Sequence, residues 1–293
     1  MKDIALLLTC HNRKSKTLTA LQSVKEAAAH YKKSADINLS IFLTDDGCTD
    51  GTAEAVLQEH PETQIIQGSG ELYWAEGMRV AWEAAIESPT SFDAYLLIND
   101  DTEMLPDMFN LLMELHKHSM KIDKKPGIYV GPTKDKASGE TTYSGALITN
   151  TLLYKQARVL PNGKPQKAHI GNANIMLVPA EIVNRIGIMR KGFAHGMGDY
   201  DYSYLAHKNG FPVYIASDYC GYCEYDHDNY YDKFTSLSFK KRKEYIHSPL
   251  GLDFKSHLKF NKAFFPWRIP VMLFAMYFKL YFPNAYVWTY RLR

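Results

Sequence analysis

Four short β-rich runs, Ile4–Thr9, Leu39–Thr44, Thr63–Gln67 and Tyr95–Ile98, punctuate the first hundred residues. Most are continuously apolar rather than alternating, as expected of strands covered on both faces. Stretches with helical spacing lie between and after them, at about Lys14–Tyr31, Thr52–Glu59, Trp74–Glu87 and Pro106–His118. The last opens with proline at a favoured first-turn position. Strand and helix in alternation predict βαβ units and a mostly parallel sheet, an α/β fold.

Beyond residue 118 the pattern changes. From about Gly127 to Lys167 the chain is rich in Gly, Pro, Thr and Lys and reads as hairpins and loop. A strand is expected at about Ala173–Val178, a helix near Pro179–Ile186, a further helix stopping at Asn209-Gly210, and a short strand at Val213–Ala216. The last forty residues combine Phe264-Phe-Pro-Trp267, the apolar run Ile269–Phe278 and the rings of Tyr281, Phe282, Tyr286, Trp288 and Tyr290 with Arg268, Lys279, Arg291 and Arg293. That run is about half of what a spanning helix requires, and Pro266, Pro270 and Pro283 interrupt it. Two readings stay open, an amphipathic segment lying on a membrane surface and a helix packed over the domain.

Composition narrows the classes. A hydrophobic content of 46% and a charged content of 23% exclude a disordered chain, and a formal charge of +2 excludes the strong basic footprint of a nucleic-acid binder. Met1-Lys2-Asp3 runs directly into Ile4–Leu8, too short for a signal h-region, so a cytoplasmic protein is expected, with peripheral contact to the inner membrane face as an extension of the amphipathic reading. Four cysteines argue for reduced thiols, and Cys220-Gly-Tyr-Cys223 has zinc-like spacing without the second half of a zinc site.

The candidate chemistry sits where the strands end. Thr9-Cys-His-Asn-Arg13, Asp45-Asp-Gly-Cys-Thr-Asp-Gly51 and Asn99-Asp-Asp-Thr102 each follow an apolar run. Ligands of open parallel sheets bind outside the carboxyl ends of the strands, so all three clusters fall on one edge. Adjacent carboxylates at Asp100 and Asp101 call for compensation, which a divalent cation bridging diphosphate oxygens provides. Asp46 can accept from a nucleobase imide or ribose hydroxyl or serve a turn, and Thr49 or Asp50 can cap the next helix.

Taken in order, these segments resemble the family 2 glycosyltransferases of the GT-A fold. Thr9–Arg13 is similar to that family's first nucleotide-facing loop, Asp45–Thr52 to its DDGSTDGT stretch and Asn99–Thr102 to its DxD-type metal motif. Gly68–Arg79 resembles its Gly-rich loop and helix, with Arg79 at the arginine and Val80 at the frequent asparagine; Gly171-Asn-Ala-Asn174 resembles its acceptor-side segment. Gly198-Asp-Tyr-Asp-Tyr202 is similar to its acidic motif, with glycine where an acid is common. The resemblance covers roughly residues 1–228. It implies a catalytic domain over 1–228, with a nucleotide-sugar half over 1–118 and an acceptor half over 119–228, followed by a helical extension over 229–293.

The implied activity is inverting transfer of a hexosyl or deoxyhexosyl unit from a UDP- or dTDP-sugar to a saccharide or lipid-linked saccharide, with Mg²⁺ or Mn²⁺. In that assignment Thr9, Asn12, Arg13, Asp46, Arg79, Asn99 and Asp100 face the nucleotide and donor, and Asp101 holds the metal. Asp199 is the general base and Asp201 supports it; the bland alternative is that two acids opening a helix merely complement its dipole. His227, in Asp226-His-Asp228, falls where related enzymes often carry a metal ligand. Two rival classes remain. A nucleotidyltransferase or sugar-phosphate pyrophosphorylase would show a glycine-rich basic loop where Thr9–Lys14 has no glycine, and a non-catalytic nucleotide-sugar or glycan-binding module would need neither the acid pair nor a separate base.

Overall fold

A computed structural model of the chain describes residues 1–31, 37–224 and 234–291. Its centre is an eight-stranded sheet built from β1 (Asp3–Cys10), β2 (Asn38–Asp45), β3 (Gln64–Gln67), β4 (Ala94–Ile98), β6 (Ile128–Val130), β11 (Gln166–Ala168), β13 (Ile175–Pro179) and β14 (Val213–Ile215). The strand order is β11-β14-β6-β13-β4-β1-β2-β3. Neighbours β4, β1, β2 and β3 run parallel, as do β14 and β6, while β13 is antiparallel to both β4 and β6 and β11 to β14. The expected mostly parallel α/β fold is therefore present, with a helical C-terminal region.

The continuous apolar runs are explained by burial on two sides. Along β1, Ile4, Leu6 and Leu8 face one core and Ala5 and Leu7 the other, all with no exposed surface. The first core is closed by α1 (Lys14–His30) and α4 (Met108–Ile122), which contribute residues such as Leu21, Val24, Phe109 and Leu112. The second is closed by α3 (Tyr73–Glu87) and by α5 (Ala180–Ile186) and α6 (Gly198–Lys208), through Met78, Trp82, Ile182 and Tyr202. α2 (Thr52–Glu59) adds Val56 to the first core.

Two smaller sheets complete the β-structure. One orders β10 (Lys155–Val159), β9 (Gly145–Asn150) and β12 (Ile170–Gly171); the other orders β5 (Glu103–Met104), β15 (Gly221–Tyr222), β7 (Thr133–Lys134) and β8 (Thr141–Tyr143). Expected helix α4 starts later than Pro106, because Leu105 N donates to Cys220 O (2.8 Å) and Met108 N to Leu105 O (3.0 Å), holding the proline in the turn ahead of the helix. Strand β6 was hidden in the sequence, since three residues between Gly127 and Gly131 carry no readable period.

Beyond residue 234 the chain forms α7 (Phe239–His247), α8 (Phe254–Phe264), α9 (Ile269–Tyr281) and α10 (Pro283–Arg291). Helix α8 is anchored in the domain. Phe260 and the next residue after the helix, Phe265, are buried in the core under α6, with the Tyr204 ring 4.9 Å from Phe264 and 5.4 Å from Phe265. Each buried phenylalanine contributes about 2–3 kcal/mol of hydrophobic stabilisation. Helix α9 instead adds only Met276 and Leu280 to a separate small cluster with Phe234 and Ile246.

Candidate active site

The chain crosses from β1 outward to β2 and β3, then returns through α3 to place β4 on the other side of β1. The sheet order reverses between β1 and β4, and the crevice outside their carboxyl ends is the favoured ligand position of such a sheet. Parallel pairing of Leu7 with Leu97 brings both ends to one corner. There the Arg13 guanidinium lies 2.6 Å from Asp101 and 3.3 Å from Asp100. Burial pushes the Asp100 carboxyl up to about 7 even though Arg13 opposes the rise. Cys223 Sγ lies 3.7 Å from Asp101 Oδ1, and burial pushes that thiol up to about 12, so it stays protonated.

Two adjoining loops are locked together by Asp46. Its carboxylate accepts backbone N–H bonds from Gly70 (2.7 Å), Leu72 (2.9 Å) and Tyr73 (3.0 Å), which fixes the glycine-rich turn that starts α3. Contact this close requires glycine: a Cβ on Gly47 would lie 2.9 Å from Gly70 Cα, and one on Gly68 would lie 2.7 Å from Asp46 Oδ1. The first loop joins them through His11 Nδ1, 2.6 Å from Asp46 O, and Asn12 Oδ1, which accepts from Thr49 N (2.7 Å). Asp50 caps two helices, accepting from Lys14 N (3.0 Å) at the start of α1 and from Thr52 N (3.1 Å) at the start of α2. In this arrangement Asp46 and Asn12 organise backbone; a carboxylate with about four lone-pair sites keeps one for a further donor.

A second cavity, about 300 Å³, adjoins that corner. Trp74, Asn99, Asn172, Asn174, Asp199 and His257 are among the residues around it. Asn174 connects the two places, lining the cavity while its Nδ2 lies 3.5 Å from Cys223 Sγ. Asp199 opens α6 and accepts from Tyr200 N (2.8 Å), Ala173 N (3.3 Å) and Asn172 Nδ2 (3.4 Å). These are neutral donors. Burial pushes its carboxyl up to about 6 against their pull, which sets a group that is deprotonated yet basic near neutral pH. Ser203 holds the segment in place, its Oγ donating to Asp199 O (2.7 Å) and accepting from Gly171 N (3.0 Å).

Gly198, at a position where the resemblance leads one to expect an acid, has a steric reason. A Cβ there would lie 2.9 Å from Ala75 Cβ and 2.6 Å from Met189 Cε, so glycine lets the start of α6 close onto α3. Asp201 is fully buried, in a two-pronged ion pair with Arg190 (Nε to Oδ2 2.8 Å, with Nη2 on Oδ1). Arg190 in turn stacks 5.3 Å from the Phe264 ring centre, so the pair fastens α6 to the C-terminal helices.

The other expected site residues are placed as follows. Thr9 is buried at the end of β1, pairing with Thr44, and packs under Gly77 of α3. Arg79 is buried in α3, where Nε donates to Glu76 (2.6 Å) and a second nitrogen meets Glu83. Asn99 lines the cavity, with its Oδ1 buried and without a hydrogen-bond partner. His227 lies outside the described residues. Sequence reasoning missed Arg190 and His257, both far along the chain in stretches with no motif; only an unpaired buried acid at Asp201 would have asked for the former.

Among the described residues, two groups of side chains come into question for a divalent cation. Asp100 and Asp101 offer hard carboxylate oxygens already gathered by one cation, Arg13, and this donor chemistry fits Mg²⁺ or Mn²⁺. Cys10, Asp45 and Cys48 also converge, with ligand atoms within 4.8 Å of one another. Burial keeps both thiols protonated, and Asp45 is occupied by Cys48 N at 2.7 Å, so this group does not fit a hard cation.

No protein-family model and no curated protein sequence matches the chain. Solved structures do. The mannosyltransferase PcManGT from Pyrobaculum calidifontis, in complex with GDP-Man and Mn²⁺, superposes with a TM-score of 0.53 at 12% identity, over 99% of this chain and 79% of that one. Residues 1–349 of S. aureus TarS superpose with a TM-score of 0.54 at 13% identity, over 96% and 79%. The fold is thus one shared with glycosyltransferases.

Proposed function

We propose that the protein is an inverting glycosyltransferase that moves a sugar from a nucleotide-sugar donor to a hydroxyl of a saccharide or lipid-linked saccharide. The observation that carries this reading is the separation of two kinds of carboxylate in a glycosyltransferase fold. Asp100 and Asp101 sit with Arg13 at the strand-order reversal, and Asp199 faces the adjoining cavity with a carboxyl raised to about 6. An attacking hydroxyl needs a base on the side opposite the departing diphosphate, and we assign that role to Asp199, which lines the adjoining cavity. Asp100 and Asp101 would hold the divalent cation, which when bound stabilises charge on the diphosphate. The family 2 membership implied by the ordered motifs belongs to the same proposal.

The donor is proposed to be a UDP- or dTDP-sugar, with Asp46 and the first loop shaping the nucleoside pocket; PcManGT bound to GDP-Man makes a guanine nucleotide the competing choice. A thermal-shift screen of UDP-, dTDP- and GDP-sugars in Mn²⁺ tests both. A donor at a hundredfold excess over its Kd stabilises by about 2.7 kcal/mol. One nucleotide class should raise Tm by several degrees and undergo slow hydrolysis without acceptor. No shift with any nucleotide sugar would overturn the proposal, and a shift without hydrolysis or transfer would reduce the protein to a binding module.

A further inference from the structure

The chain's charges are divided along its length. Residues 234–293 contain 11 Lys and Arg against 2 Asp and Glu, a formal +9, whereas residues 1–233 contain 23 against 30, a formal −7. The near-neutral whole therefore conceals a strongly basic C-terminal segment.

That segment also carries an apolar face that the described residues leave largely uncovered. Helix α9 buries Met276 and Leu280, while Val271, Phe274, Tyr277 and Tyr281 are exposed. At about 100° per residue these four fall within about 120° of arc, roughly opposite the buried pair. Val271 is 68% exposed and Phe274 69%, values far from those of a satisfied core helix. The face continues onto the catalytic domain, because Trp267, itself exposed, donates Nε1 to Leu152 O (3.3 Å) beside the exposed Leu152 and Leu153.

The basic residues lie alongside. Helix α7 carries exposed Lys240, Lys241 and Lys243, and it is fixed next to the end of the apolar face by the Phe239–Tyr281 ring pair (5.3 Å) and by Arg242 Nε donating to Leu280 O (3.2 Å). Exposed aromatic and aliphatic side chains rimmed by lysine match an interface of apolar acyl chains under anionic headgroups. No helix among the described residues is long and apolar enough to cross a bilayer.

We infer that this face docks the protein flat on an anionic lipid surface, with α9 lying in the headgroup region and α7 supplying the electrostatic attraction. Docking of this kind stands whether or not the chain is a transferase. Arg242 then has a purpose, joining the charged helix to the apolar one.

The experiment is sedimentation of the full chain with vesicles. With equimolar phosphatidylglycerol and phosphatidylcholine the protein should pellet; with phosphatidylcholine alone it should stay largely in the supernatant, and high salt should weaken pelleting. Val271→Asp with Phe274→Asp should abolish binding without changing the melting curve, since both side chains are exposed. Lys240→Glu with Lys241→Glu should lower the partition coefficient about tenfold or more, at about fivefold per basic residue near an anionic surface. Wild-type protein remaining in solution, or aspartate variants pelleting as well as wild type, would overturn the inference. So would a wild-type dimer, formed without vesicles and broken by Phe274→Asp, because the face would then belong to a second copy.

Discussion

The corner of Asp100 and Asp101 and the cavity of Asp199 adjoin, and burial raises a carboxyl in each, yet the partners of those carboxylates differ. At the corner two carboxylates share a guanidinium at 2.6 and 3.3 Å, and burial still raises Asp100 to about 7 against that cation. In the cavity a lone carboxylate is held by neutral N–H donors and burial dominates, raising it to about 6. Under the proposed function these identical groups do different work: one place would take the cation and diphosphate, the other a proton. The contrast is set by what touches each carboxylate, Arg13 on one side and the backbone around Ala173 on the other.

The largest effect should come from attacking the corner. Chelation with EDTA, or Asp101→Asn, should reduce transfer at least about 10³-fold, because metal stabilisation of a leaving group is worth several kcal/mol. The fold should survive, since Asp101 lies near the surface with 15% of its side chain exposed and Arg13 retains Asp100. Arg13 should not rescue turnover, being fixed on the strand-end acids. Full activity in chelator would erase the distinction between the two places and move the protein among metal-independent transferases.

Attacking the cavity should come next, and it separates two acids two residues apart in α6. Asp199→Asn should lower turnover about 10²–10⁴-fold while donor binding persists. In the wild type, turnover should climb with pH through about 6 as Asp199 loses its proton. Asp201→Asn should leave the turnover of folded protein near normal and instead lower stability by about 2–4 kcal/mol, since it strands Arg190 beside a neutral buried group. Steady-state kinetics with thermal melts on both variants decides the matter. A turnover loss confined to Asp201→Asn would reverse the roles.

Much of this was legible in the chain. Continuous apolar runs marked the doubly covered strands, and the polar clusters ending β1, β2 and β4 marked the candidate edge, because a parallel sheet brings successive carboxyl ends together. Asp199 and Asp201 could be separated in principle by helix angle alone. What the pattern did not contain were contacts between distant segments. Nothing near Asp201 names Arg190, nothing in Asp45-Asp46-Gly47 says that Asp46 accepts from three backbone N–H groups, and β6 is too short for any period. The C-terminal ambiguity arose because the segment is not uniform: α8 buries Phe260 in the core, whereas α9 leaves Val271 and Phe274 exposed.

The smallest effect tests whether the cavity's electrostatics carry a stability cost. Asp199 has a folded-state pKa of about 6, above the roughly 3.9 of an unfolded aspartate. Between those values the folded protein binds more protons than the unfolded chain, so this residue makes stability fall as pH rises from about 4 to about 6, and the loss is complete above that window. An asparagine side chain in its place does not titrate. Asp199→Asn should therefore match or fall slightly below wild type near pH 4, and exceed it by about 1–2 kcal/mol at pH 8, a figure reduced for the solvent reaching the cavity. Asp100, raised to about 7 by burial, contributes a loss of the same sign over a neighbouring range, but it is present in both proteins and cancels in the difference. Melts of the two proteins across pH 4–8 give the curve directly. A variant less stable than wild type at pH 8 would mean that the hydrogen bonds from Ala173 and Tyr200 outweigh burial at this carboxylate.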